Sequence, residues 1–231
     1  MRTIAASLVL AVSPATPHGL AQDIRPDTEV VFLLHGMARS RLAMTTISRR
    51  FKKVGYRTVN FPYSPPLQTL DEISDRLLLS IAQNTGGKRY HLIGHSLGNI
   101  VIRNAFKKGY PPGLGRIVML APPNRPAKLA RTFRNFFLYR WLMGDSGQKL
   151  ADDAFYETLP IPTAEFGVIA GTKGTTLLSQ TPNDGVVLVE ATKLKGMKDF
   201  AELRRTHTFI MNAKDTFDFA KSFIETGAFP H

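Results

Sequence analysis

Residues 90–107 read YHLIGHSLGNIVIRNAFK: an apolar run, a Gly-x-Ser-x-Gly pentapeptide, then a segment with helical apolar spacing. The turn between Gly94 and Gly98 is too short for anything but a sharp strand-to-helix reversal. In such an elbow the serine is held in a strained backbone conformation with its hydroxyl clear of the sheet, and the two glycines let strand and helix pass with no Cβ between them. Glycine-flanked serines also arise by chance in ordinary turns. The strand directly before and the helix directly after make Ser96 a nucleophile.

Working outward, short apolar runs alternate with amphipathic segments. Residues 30–35 (VVFLLH) read as a buried strand, with further strands predicted at 57–63, 116–121 and 165–170. Helices are expected over 40–54, with Leu42, Ile47, Phe51 and Val54 inward and Gly55 beyond the end, over 67–83 after Pro65-Pro66, and over 215–225, with Phe217, Ala220, Phe223 and Ile224 along one side. This alternation is that of an α/β fold, a mostly parallel sheet with helices on both faces. Residues 122–164 are more than a crossover helix requires. A lid-like helical insertion is expected over about 124–164.

A serine hydroxyl becomes a good nucleophile only when a general base takes its proton, so a histidine is needed later in the chain. Of the six histidines, His18 lies in the leader, His231 is terminal and His91 sits in the strand before the elbow. His95 adjoins the serine too closely to face its hydroxyl, and His35 precedes Gly36 at a strand end. His207, in RRTHTFIM before the last helix, remains; its bland alternative is a loop histidine bonded to backbone. The carboxylate that fixes the imidazole tautomer should follow the strand at 165–170. Asp184, in TPNDGVV (181–187), has that place, against the alternative of a merely structural Asp-Gly turn. Asp199 and Glu202 are in reserve. Two N–H donors for an oxyanion are expected from Leu97, after the nucleophile, and from Met37, where Gly36 allows a tight path unless it merely ends a strand.

VVFLLHG, HLIGHSLGN, NDGVV and THTFIM, in this order and spacing, resemble the small bacterial α/β-hydrolases of the lipase and esterase group. The likeness runs from about residue 29 to the C-terminus. It is strongest to short members sharing the loop His35-Gly36-Met37-Ala38-Arg39-Ser40 and the motif Met119-Leu120-Ala121-Pro122-Pro123-Asn124. The resemblance implies Ser96, Asp184 and His207 as a triad and does not settle the substrate; cleavage of carboxylic esters, lipid or short-chain acyl, through an acyl-enzyme is expected. A thioesterase or acyltransferase using the same triad, or an inactive binding protein on the same fold, are the alternatives. Too little chain precedes Val30 for the first two antiparallel strands of larger members, which implies an α/β-hydrolase fold with about six parallel strands.

The 231 residues, 43% hydrophobic, suit one domain over 22–231. Residues 1–21 read as a signal peptide, a short basic start, an apolar run and small residues before Ala21, so a periplasmic or secreted protein is expected, or a cytoplasmic one if the segment is not a signal. The net charge of +12 favours anionic partners, yet no nucleic-acid-binding motif is present. Within 125–143, Leu129, Phe133, Phe136, Phe137 and Trp141 share one helical face opposite Lys128, Arg131 and Arg134, which suits either a packed crossover helix or an interfacial segment that touches an anionic membrane, and either way its position lets it wall an acyl pocket. No motif for a metal or an organic cofactor occurs, so none is expected.

Overall fold

The computed structural model describes residues 28–125, 153–174 and 180–230. The leader, Phe133, Phe136, Phe137, Trp141 and most of the expected insertion lie outside the described residues. Chain order is β1 (Val30–Leu34), a 3₁₀ turn (Arg41–Met44), α1 (Thr45–Lys53), β2 (Arg57–Asn60), α2 (Leu70–Thr85), β3 (Tyr90–His95), α3 (Leu97–Ala105) and β4 (Leu114–Leu120). After the insertion follow α4 (Asp153–Glu157), β5 (Phe166–Gly171), α5 (Val189–Thr192), β6 (Asp199–Leu203), a second 3₁₀ turn (Ile210–Asn212) and α6 (Lys214–Thr226). The strands form one six-stranded sheet, ordered β2-β1-β3-β4-β5-β6, and all five pairings are parallel.

Successive side chains of a strand point to opposite faces, and β1 shows what that does to the core. Val30, Phe32 and Leu34 join the cluster filled by Leu70, Ile73, Leu77 and Ile81 of α2 and by Leu97, Ile100 and Val101 of α3. Val31 and Leu33 join the opposite cluster, with Ile47 and Phe51 of α1 and Phe217, Ala220 and Phe223 of α6. Each fully buried side chain of this kind contributes roughly 1.5–3 kcal/mol. The continuous apolarity of 30–34 is therefore the mark of a strand covered on both sides. Local signals agree at α2: Thr69 and Glu72 form a reciprocal capping box, and Gly86 ends the helix at φ 57°.

Two inward placements expected for the first helix are corrected. Leu42 is 73% exposed and Val54 44% exposed. Residues 41–44 form a 3₁₀ turn, whose three-residue repeat swings Leu42 off the α1 stripe and buries Met44 instead. Val54 is already past the helix, at its C-cap.

The strand order reverses at β1 and β3. From β1 the chain steps outward to β2, and from β3 it steps the other way to β4. Loops leaving the C-terminal ends of such strands diverge and leave a crevice, the usual place for a site in an open parallel sheet. The loop at Gly36–Met37 and the elbow at Ser96 both open there. No helix among the described residues is long and apolar enough to cross a membrane.

Candidate active site

Ser96 joins β3 to α3 at φ 51°, ψ −119°. Among the described residues, the only other non-glycine residues with positive φ are Ala38 and Ala121, which leave the two strands flanking β3. Such conformations cost about 1–3 kcal/mol each and persist only where the surroundings impose them. Here the Ser96 N–H donates to the Leu120 carbonyl at 3.0 Å. The Asn99 amide, buried behind the elbow, donates to the carbonyls of Ser96 (3.2 Å) and Leu120 (3.1 Å). A Cβ on Gly98 would stand 2.6 Å from the Leu34 carbonyl oxygen, so helix and strand meet only because residue 98 is glycine. Residues 91–95 and 97–105 are buried, and Ser96 alone between them keeps partial exposure. Its side chain does not cap α3. Leu97, the first helical residue, has an N–H with no acceptor in its own helix, at the positive end of the helix dipole.

His207 and Asp184, 23 residues apart, meet through Nδ1 and a carboxylate oxygen at 2.7 Å. The other Asp184 oxygen accepts the N–H groups of Val186 (2.9 Å) and Val187 (2.7 Å), and the His207 N–H donates to the Asp184 carbonyl at 2.9 Å. Asp184 is buried, whereas His207 retains a sliver of exposure. An ionised carboxylate only accepts, so Nδ1 carries the imidazole proton and Nε2 is left with a free lone pair. The reserve carboxylates are elsewhere. Asp199 receives the N–H groups of Phe200 and Phe229 at the far edge strand, and Glu202 is exposed.

The loop after β1 lies directly against the elbow: a Cβ on Gly36 would come within 3.2 Å of the Ser96 Cβ. It is braced from behind. The His35 ring stacks on Tyr63 at 4.0 Å between centroids, its Nδ1 and Nε2 face the carbonyls of Gly36 (2.8 Å) and Tyr63 (3.2 Å), and the Tyr63 hydroxyl donates back to the His35 carbonyl. Burial holds His35 below the usual imidazole pKa and pushes the Tyr63 phenol far above its own, so both stay neutral. Met37 follows in the turn, partly exposed.

His95, set aside in the sequence for sitting too near the serine, has a structural task there. Its Nε2 lies 2.9 Å from the His207 carbonyl oxygen, and its ring centroid is 4.9 Å from that of His207. A carbonyl can only accept, so Nε2 bears the proton. Burial, and next the neighbouring His207, drive the His95 pKa well below the ordinary value, so the ring is neutral. Its Nδ1 is buried without a partner and faces the Gly36 backbone. One side chain thus ties the loop of His207 to the elbow and to the Gly36 turn. His95→Leu is expected to lose about 1–3 kcal/mol of stability by orphaning the buried carbonyl, with kcat falling more than KM changes. His95→Gln, whose amide can donate at the same place, should recover part of both. Thermal melts beside steady-state kinetics check this, and equal losses in the two variants would deny the hydrogen bond its role.

The motif ending at Asn124 also finds its purpose. Asn124, buried, donates to the Thr192 carbonyl at 2.8 Å and accepts from Arg103 at 3.3 Å. Arg103, buried in α3 and with no carboxylate partner among the described residues, also donates to the carbonyls of Leu159 (2.8 Å) and Pro160 (3.0 Å). Burial lowers its pKa to about 10, so it remains a cation. It pins the chain on both sides of the insertion and, through Asn124 and α5, the segment that follows Asp184. Among the described residues no group of three or more His, Asp or Glu is placed to hold a metal.

No family model matches the sequence, nor does any curated protein. Solved structures do match. A mature lipase of Bacillus licheniformis superposes with a TM-score of 0.69 at 18% identity over 87% of this chain and 92% of its own. The chain has the α/β-hydrolase fold. Other solved structures agree: an esterase of Exiguobacterium antarcticum (TM-score 0.64, 12% identity, 87% of this chain and 93% of that one) and a metagenomic carboxyl esterase (0.66, 14%, 80% and 66%). In this chain, as the fold's open sheet dictates, Ser96, His207 and Asp184 all lie at or beyond the C-terminal ends of strands.

Proposed function

We propose that this chain is a serine hydrolase of carboxylic esters, lipid or short-chain acyl, with Ser96, His207 and Asp184 as its triad. The observation that carries the reading is the buried Asp184–His207 pair, fixed at 2.7 Å and tied through His95 to the elbow whose strained, partly exposed serine is Ser96. In this mechanism the His207 Nε2 takes the proton of the Ser96 hydroxyl as its oxygen bonds to the ester carbonyl carbon. The carbonyl oxygen, now an anion, accepts the backbone N–H groups of Leu97 and Met37. Collapse expels the alcohol, which takes the proton from His207 and leaves an acyl-Ser96. Water then adds to the acyl carbon, giving its proton to His207, and the carboxylic acid departs as Ser96 recovers the proton. Asp184 keeps Nδ1 protonated throughout and stabilises the transient imidazolium.

A panel of chromogenic esters of increasing acyl length tests the reading together with an organophosphonate. We expect turnover of part of the panel and a single covalent label on the Ser96 peptide, found by mass spectrometry. A label on another serine, or turnover that survives full labelling, would overturn it. Export through residues 1–21 belongs to the same proposal, and the mass of the protein recovered from a periplasmic extract tests it.

A further inference from the structure

The net charge of +12 is not evenly spread. Residues 30–70 contain seven Lys and Arg and no carboxylate. Five of these cations, Arg39, Arg41, Arg49, Lys52 and Lys53, are exposed, and none of the five has an ion-pair partner among the described residues. On a solvated helix, cations are commonly matched by Glu or Asp three or four residues away. In α1, Arg49, Lys52 and Lys53 instead form an unmatched stripe at that same spacing.

α1 runs from the edge of the sheet at which the elbow opens back to the start of β2 at the opposite edge, so of the five cations Arg39 and Arg41, which precede it, are the ones that border the elbow. The first 3₁₀ turn packs against both α1 and the second 3₁₀ turn, and Arg50 of α1 donates to the carbonyls of Asn212 and Ala213 at 2.8 and 2.7 Å. Phe209, which precedes the second turn and stands two residues beyond His207, is 60% exposed beside a turn whose Leu42 is 73% exposed. The charge of Arg39 is felt at His95. Because every strand runs the same way, these loops share the edge of the sheet at which Ser96 opens.

A single exposed leucine or phenylalanine needs no explanation. Two of them beside the mouth of a site, flanked by Arg39 and Arg41, which have no ion-pair partner among the described residues, match a surface that offers anionic headgroups outside and acyl chains beneath. Nucleic acid would use the cations and gain nothing from Leu42. We propose that residues 39–42 and Phe209 form a docking face for an anionic phospholipid surface, one that sets the Ser96 opening against the lipid. Its use in catalysis rests on the hydrolase reading; the binding does not.

The test uses full-length Ser96→Ala protein, which binds without consuming the lipid, and co-sedimentation with phosphatidylglycerol or phosphatidylcholine vesicles. Tighter binding to phosphatidylglycerol, weakening with salt, is expected. Adding Arg39→Ser and Arg41→Ser should cut that affinity on the order of 20-fold, since each Lys or Arg at an anionic surface contributes about fivefold. Leu42→Ser with Phe209→Ser should cut it on the order of 10-fold, with the salt dependence kept. The same substitutions with Ser96 restored should leave turnover of a soluble ester within about twofold. Equal binding to both vesicles, retention by either set of variants, or duplex DNA that displaces the vesicles would each overturn the docking face. Absence of ester turnover in the wild type alongside intact vesicle binding would instead count against the hydrolase reading.

Discussion

Ser96→Ala is expected to lower kcat for a soluble ester by about 10⁶-fold, the loss typical when the nucleophile of such a triad is removed. The protein should stay folded, and the structure says why. The serine hydroxyl makes no capping bond to α3, and its side chain is partly exposed, so removing one oxygen opens no cavity and strands no partner. Alanine already occupies positive φ at Ala38 and Ala121 on the flanking strands, so the elbow conformation does not exclude it. The thermal midpoint should shift by no more than about 2 °C. What remains of the rate should come from the oxyanion donors and from binding alone. Circular-dichroism melts beside ester kinetics check both halves. Activity within about tenfold of wild type, in a protein that melts normally, would sink the role of Ser96.

That prediction was legible in the sequence because the elbow is local. Strand, turn and helix are contiguous, and the glycines flanking Ser96 are demanded by backbone contacts within the same reversal. The strands covered on both faces were legible for a similar reason: burial on two sides leaves an unbroken apolar run. β6 was not, because Asp199–Leu203 is an edge strand. Only Ala201 and Leu203 of its five residues are buried, and its charges read as candidate acids instead of strand residues. Leu42 misled because the change from α to 3₁₀ spacing depends on packing against a turn 166 residues later, formed by Ile210–Asn212. His95 was dismissed on adjacency alone. Its bond to the His207 carbonyl spans 112 residues and carries no local signal.

Asp184→Asn carries the second large effect, because it changes a proton and hardly any volume. Asparagine can keep its amide oxygen where the Val186 and Val187 N–H groups donate. Those two donors fix the flip, since the opposite orientation would aim an NH₂ group at them. The NH₂ therefore takes the place of the carboxylate oxygen now 2.7 Å from the His207 Nδ1. A donor there forces Nδ1 to become the acceptor, and the imidazole proton moves to Nε2. His207 then presents an N–H to Ser96 where it must present a lone pair, and the imidazolium of the transition state loses its counter-charge. The expected fall in kcat is about 10⁴-fold, with KM altered little because Asp184 is buried beyond reach of substrate. The reserve carboxylates serve as controls. Glu202→Gln changes an exposed side chain and should leave kcat within about twofold. Asp199→Asn disturbs the bond that anchors the Phe229 N–H, so it should lower the melting temperature more than the rate. A drop below about tenfold in Asp184→Asn, with either control severely impaired, would move the acid to another carboxylate and leave the Asp184–His207 contact a structural one.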